Sequence, residues 1–347
     1  MLNHDDLLAP DGQPFTLTTL QNAGGMSITL MDWGATWLSA LLPLHDGSQR
    51  ELLLGCASPA LYPRQDAYLG ATVGRYANRI AHASLTVDGA PCPLVANQGE
   101  HQLHGGPQGF HARRWQIASQ DAQQVVYQLH SADGDQGFPG NLQVSVSYHL
   151  TDDHRLEIRY QAQTDRACPV NLTNHAYFNL DGAGQDARLQ TLQLFADRYL
   201  PVDSEGIPCA PLNEVSGSGM DFRQPKTIMQ DLLRDRDQQR VKGYDHAYLL
   251  HTGCGALASP AAHLWSADGK VKMSVFTDAP ALQLYSGNYL GGVPARDGGS
   301  YANYAGVALE SEFLPDSPHH PEWPQPSCWL QPGQTYRSAT HYQFLAL

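Results

Sequence analysis

Charge is scarce in this chain: Asp, Glu, Lys and Arg make up 16% of its 347 residues, against roughly 25% in an ordinary soluble domain. Basic residues are the scarcer sign, 21 against 34 acidic, giving a formal net charge of −13. Such a chain repels phosphate backbones and anionic lipid surfaces, which argues against nonspecific nucleic-acid or membrane binding and for a neutral small-molecule partner. No run of about 18 apolar residues occurs, so no membrane-spanning helix is expected. The first residues, Met1-Leu2-Asn3-His4-Asp5-Asp6, are acidic where a signal peptide carries positive charge. A cytoplasmic protein is the expectation.

Paired cysteine motifs are also missing. Cys56, Cys92, Cys168, Cys209, Cys254 and Cys328 are scattered, with no Cys-x-x-Cys to suggest a zinc site or redox couple; free buried thiols are expected. Helical periodicity is nearly absent. Its best case is Thr227 to Arg234, with Ile228, Leu232 and Leu233 on one stripe and Thr227 as a cap, which predicts one short surface helix. Few charges together with 32 Gly and 23 Pro suit short strands joined by turns rather than long exposed helices.

What the chain does have is alternation. From Asn141 to Leu150, Leu142, Val144, Val146, Tyr148 and Leu150 share one face; after Thr151-Asp152-Asp153-His154, residues Leu156, Ile158, Tyr160 and Ala162 repeat the pattern. These runs predict an antiparallel hairpin. A second is predicted from His263 to Phe276 around the Asp268-Gly269 turn. Further strands are expected over 27–31, 35–42, 51–55, 125–130, 189–195, 281–284, 306–309 and 336–345. Without a linker-like stretch or a fixed-period repeat, the economical reading is all-β: one domain over 1–347, a large antiparallel β-sandwich rather than a barrel or propeller.

Several polar clusters stand in apolar or Gly-rich surroundings, where an unpaired polar group is costly. They are Gly74-Arg75-Tyr76-Ala77-Asn78-Arg79-Ile80, Gln102-Leu103-His104-Gly105-Gly106, Asn171-Leu172-Thr173-Asn174-His175-Ala176-Tyr177-Phe178-Asn179-Leu180, Gly243-Tyr244-Asp245-His246-Ala247, Leu282-Gln283-Leu284-Tyr285-Ser286-Gly287-Asn288 and Val307-Ala308-Leu309-Glu310-Ser311-Glu312-Phe313. Through the Gly-Arg-x-Ala-Asn-Arg-Ile, Leu-His-Gly-Gly, Asn-His-x-Tyr-Phe-Asn-Leu and Leu-Glu-Ser segments, the last of them before Pro315-Asp316, in this order and over essentially its whole length, the sequence resembles the aldose 1-epimerase family, enterobacterial type. The resemblance implies a galactose mutarotase-like sandwich with an open sugar cleft, and an isomerase that needs no metal or organic cofactor. It implies an aldohexose such as galactose or glucose as the partner, with no obligate protein partner.

Exchanging the two anomers of an aldose needs one group to take the anomeric hydroxyl proton and another to protonate the ring oxygen. The resemblance carries the base to Glu310 and the acid to His175. Both suit the work, because burial raises a carboxylate toward the working pH and an imidazole titrates near neutrality. It carries sugar binding to Asn78, Arg79, His104, Asp245 and Gln283, and His104 is a candidate to share in protonating the ring oxygen. The two glycines after His104 suit a backbone passing close to a ligand.

Tyr177, Phe178, Tyr285, Phe313 and Trp323 are candidates for an aromatic floor, Tyr177 first among them because it shares a motif with His175 and adds a hydroxyl. Glu312 is a neighbour that tunes Glu310. Leu284 stands where relatives often carry an aromatic residue, a departure that bears on packing beneath the sugar. His101-x-x-His104 raises a metal, but no zinc signature accompanies it. Ordinary alternatives exist for each residue: a solvated strand-end Glu310, a core His175 bonded to backbone, an ion-paired Arg79, a turn-forming Asp245. The rival activities are a glycosidase using Asp245 with Glu310, a noncatalytic sugar-binding or regulatory module, and a phosphosugar epimerase.

Overall fold

The computed structural model describes residues 8–251 and 257–347, so Cys254 lies outside the described residues. The backbone is built on three larger antiparallel sheets. The widest has nine strands, in spatial order Gln116–Gln120, Gln124–Ser131, Leu142–Leu150, Arg155–Thr164, Tyr336–Ala346, Val271–Thr277, Ala262–Trp265, Thr191–Leu194 and Lys226–Thr227. A six-stranded sheet runs Tyr177–Phe178, Val307–Glu312, Ala281–Tyr285, Asp245–Leu250, Ala196–Tyr199 and Asn213–Glu214. Leu17–Gln21, Ser27–Met31, Thr36–Pro43 and Gln49–Glu51 form a four-stranded meander.

Alternation sets the register. Leu150 pairs with Leu156 and Val146 with Tyr160, so the apolar face of the first predicted hairpin stays on one side of the nine-stranded sheet. The second hairpin turns where predicted, with Gly269 at φ 71° and Leu264 paired to Met273. Trp37 joins the three sheets: its ring centroid lies 5.8 Å from Phe178, 5.6 Å from Tyr342 and 6.4 Å from Phe344.

The six-stranded sheet decides where the site is. Phe178, Leu284, Val307 and Leu309 turn into the core it shares with the nine-stranded sheet. Across the ladder, Gln283 is opposite Glu310, Asp245 opposite Tyr285 and Tyr177 opposite Ala308, so this polar set shares the other face.

Two expectations are corrected. Thr227 to Arg234 is not a helix: Thr227 pairs with Thr191 in the sheet, three-residue backbone turns follow, and Leu233 sits at φ 62°. The apolar stripe survives only as buried Ile228 and half-buried Leu232, because strand pairing of Thr227 consumes the first turn a helix would need. The one α-helix among the described residues is Arg236–Arg240. The strand expected over 51–55 stops at Glu51, whose carboxylate accepts from the backbone N–H groups of Ala40 and Leu53. The chain then leaves the meander, and Leu53 and Leu54 meet Phe178 and Tyr177 instead.

Candidate active site

A cleft of about 510 Å³ lies over the polar face of the six-stranded sheet. Glu310, Gln283, Asp245 and Tyr177 rise from that face. Asn78, Arg79 and His104 come from a small ladder in which Arg79 pairs with Leu103, and His175 from the turn before Tyr177–Phe178. All eight site residues expected from the sequence line this one cleft, though their chain positions span 78 to 310.

His175 Nε2 and Glu310 Oε2 are 3.6 Å apart, and both residues are almost wholly buried. Burial, then the charges of Glu312 and Asp245, hold the Glu310 carboxyl well above the ordinary carboxylate range, with Arg79 opposing. Burial pushes His175 down to about 4. The pair is therefore at ion-pair distance, yet desolvation favours the neutral acid and neutral imidazole.

The surrounding polar groups hold one another. Gln283 Nε2 donates to Asp245 Oδ1 at 2.6 Å, and an Arg79 guanidinium nitrogen is 3.7 Å from Asp245 Oδ2. Arg79 Nε also donates to Gln98 Oε1, 2.8 Å away. With Asp245 engaged this way, the geometry pairs Glu310 with His175 rather than with a second carboxylate. The backbone N–H of Asn78 donates to His104 Nδ1 at 3.1 Å, and Asn78 Nδ2 donates to Glu312 Oε1 at 2.9 Å. Glu312 does not line the cleft; it stands behind Asn78, 1% exposed, and burial raises its carboxyl to about 8.

Each motif divides its labour by side-chain direction. In the first, Arg79 enters the cleft, whereas Arg75 is buried and donates to Ser131 Oγ and to the carbonyls of Ser131, Ala132 and Pro139. In the third, His175 and Tyr177 face the cleft, Phe178 faces the core, and Asn174 and Asn179 donate to the carbonyls of Gly70 and Ala305.

Other expectations fare differently. Tyr177 and Tyr285 line the cleft; Phe178, Phe313 and Trp323 do not, Trp323 stacking on His320 at 4.2 Å elsewhere. Leu284 is fully buried in the core, so its departure from relatives bears on packing between sheets, not beneath the sugar. Gly105, at φ 82°, makes its close approach to protein rather than ligand: a Cβ there would lie 2.0 Å from the Gly74 carbonyl oxygen. His101 does not join His104; its Nδ1 accepts from the His82 backbone N–H and its Nε2 is 3.6 Å from Glu205.

Tyr68 was not legible in the sequence. It lines the cleft, its ring 4.7 Å from His104 and 5.8 Å from His175, and a lone tyrosine at φ 55° carries no periodic or motif signal. Tyr289, more than half exposed, and Gln98 also line the cleft without having been marked. Donor atoms of His104, His175 and Glu310 lie within 4.8 Å of one another, close enough to raise the question of a divalent transition metal.

Comparison with known proteins agrees with this architecture. The aldose 1-epimerase family profile matches residues 16–343. The aldose 1-epimerase of Escherichia coli K12 is 59% identical over 346 residues, covering 100% of both chains. The galactose mutarotase of Rattus norvegicus is 34% identical over 92% of this chain and 91% of its own. The crystal structure of an aldose epimerase homologue from C. elegans superposes with a TM-score of 0.88 at 29% identity, covering 96% of this chain and 99% of that one. The chain belongs to the aldose 1-epimerase family.

Proposed function

We propose that this aldose 1-epimerase interconverts the α and β anomers of D-galactose and D-glucose, with Glu310 and His175 as its proton-transfer pair. The observation that carries the assignment is their 3.6 Å approach inside the cleft. Glu310 takes the proton of the anomeric hydroxyl while His175 protonates the ring oxygen, and the bond between that oxygen and the anomeric carbon breaks. The aldehyde turns about its bond to the next carbon. The ring oxygen then attacks the opposite face and returns its proton to His175, and Glu310 returns its own to the new anomeric hydroxyl. No net proton is consumed, so a buried pair holding one proton between them suffices.

The resting cleft favours the neutral pair. Arg79 is the cation that pulls Glu310 toward its charged form, and sugar hydroxyls supply the remaining hydrogen bonds as they displace water. Asn78, Arg79, His104, Asp245, Gln283 and Tyr177 bind the sugar: a neutral polyol is held by convergent donors and acceptors rather than by net charge. One apolar core running from Leu20 to Phe344 supports reading residues 1–347 as one domain. Buried free thiols at Cys56, Cys168 and Cys328 suit a reducing compartment, which supports the cytoplasmic placement.

Polarimetry on freshly dissolved α-galactose and α-glucose tests the proposal. Faster decay to the same final rotation is expected, and the ratio of rates ranks the two sugars. Sugar binding without acceleration would replace the reading with that of a noncatalytic sugar-binding protein.

A further inference from the structure

We infer that Gly206, which does not line the cleft, is a positioning residue: its backbone, bare of any side chain, covers one flat face of the Arg79 guanidinium and so fixes how Arg79 meets the sugar. The inference rests on the function proposed above and adds to it the turn that holds one of its binding residues.

A guanidinium is a planar fork whose N–H groups point outward in the plane, so acceptors can hold its edges but only packing can hold its faces. The edges of Arg79 are taken. Nε donates to Gln98 Oε1 at 2.8 Å, Nη1 donates to Asn78 Oδ1 at 3.3 Å, and Nη2 is 3.7 Å from Asp245 Oδ2. Tilting out of the plane is left for a neighbour to stop, and buried Gly206 is that neighbour. A Cβ built on it would lie 2.5 Å from Arg79 Cζ, 2.6 Å from Nε and 2.8 Å from Nη1. Three comparable distances put that point over the face rather than beyond an edge, and all three are too short for a real side chain.

Gly206 belongs to the turn Asp203-Ser204-Glu205-Gly206-Ile207, in the connection from Ala196–Tyr199 to Asn213–Glu214 at the edge of the six-stranded sheet. The turn is closed on itself. The Asp203 backbone N–H donates to the Ile207 carbonyl at 2.9 Å, Asp203 Oδ1 accepts from the N–H groups of Glu205 and Ile207 at 2.9 and 3.0 Å, and Gly206 lies at φ 81°. It is also tied to the ladder that carries Arg79: Glu205 Oε2 is 3.6 Å from Nε2 of buried His101, just before the Gln102–Leu103 strand that pairs with Arg79–Ile80.

A clash between the two is relieved at the far end of a long side chain before it is relieved in a hydrogen-bonded turn. A side chain at position 206 would therefore displace Arg79 and loosen its contacts to Gln98, Asn78 and Asp245 together with those to the sugar. Arg79 stays protonated throughout, so the loss falls chiefly on sugar binding.

A double-mutant cycle tests the inference, with Gly206→Ala measured in the parent and in Arg79→Ala for KM, kcat and melting temperature. The strain of an alanine at positive φ is present in both backgrounds and cancels, whereas the clash exists only where Arg79 does. In the parent, KM is expected to rise about tenfold, the loss of a charge-assisted hydrogen bond, with kcat changing less than about threefold. In Arg79→Ala the same substitution is expected to change KM less than about twofold and to lower the melting temperature by less than it does in the parent. Loss of the fold in the parent background alone, restored by Arg79→Ala, would also support the inference. An unchanged KM in the parent, effects on KM that multiply, or equal melting losses in the two backgrounds would show that Gly206 acts apart from Arg79 and would overturn it; so would loss of the fold in both. If polarimetry shows no catalysis, the melting half of the cycle still decides the contact; if catalysis is present and the cycle is additive, only the role of Gly206 falls.

Discussion

Gln283 stands directly opposite Glu310 across two antiparallel strands, and its amide donates to Asp245 on the next strand. One side chain thus connects the proposed base to the proposed sugar clamp, while its own Oε1 is buried without a partner. That free acceptor suits a sugar hydroxyl. Gln283→Leu is expected to raise KM about tenfold or more, the loss of one or two buried hydrogen bonds, with a smaller effect on kcat. An unchanged KM in steady-state assays would remove Gln283 from the binding set.

Glu310→Gln and His175→Asn should each lower kcat by about 10²–10⁴-fold, the range of general acid–base catalysis. Circular dichroism should show both variants folded, since each substitution removes a group whose charged form burial already disfavours. Near-normal turnover in either would refute its assigned role.

Arg79→Ala should weaken binding by about 10- to 100-fold, because a partly buried guanidinium makes charge-assisted hydrogen bonds. It contacts Asp245, Gln98 and the Asn78 carboxamide. Unchanged KM with a lowered melting temperature would make Arg79 a purely structural ion-pair partner.

Glu312 predicts a pH dependence of stability. Its ordinary value is 4.5 and burial raises it to about 8 in the folded protein. Between these values the native state holds a proton that the unfolded chain has lost. Stability should therefore fall as pH rises from about 4.5 to 8 and level off above. Glu312→Gln keeps an acceptor for Asn78 and removes the titration, so its denaturation midpoint should vary less over that window than the parent's. Equal slopes would mean that Glu312 is ionised throughout.

Trp37→Ala should cost about 3–5 kcal/mol in urea unfolding, the usual range for an aromatic lost from a packed core. It removes the ring that touches Phe178, Tyr342 and Phe344, one or more from each of the two larger sheets. A loss under about 1 kcal/mol would show that the sheets close without it.

The strands and hairpins were legible because alternation is a local property: Leu142 to Leu150 carries its own inward and outward faces wherever it packs. The motifs were legible for a similar reason, since each polar group stands out against apolar neighbours in a short stretch. The Thr227 stripe misled because a three-residue apolar signal is weaker than the pairing of Thr227 with Thr191, which no local pattern encodes. By itself, then, the sequence determined the all-β architecture and marked the eight residues that come to line one cleft. Tertiary structure alone decided that the Asn78 backbone N–H meets His104 Nδ1, that Glu312 backs Asn78 instead of lining the cleft, that the close approach of Gly105 is to Gly74, and that Tyr68 belongs with the histidines. The physical reason is that each of these is a contact across strands or loops far apart in the chain, set by register and backbone direction rather than by any residue's neighbours in sequence.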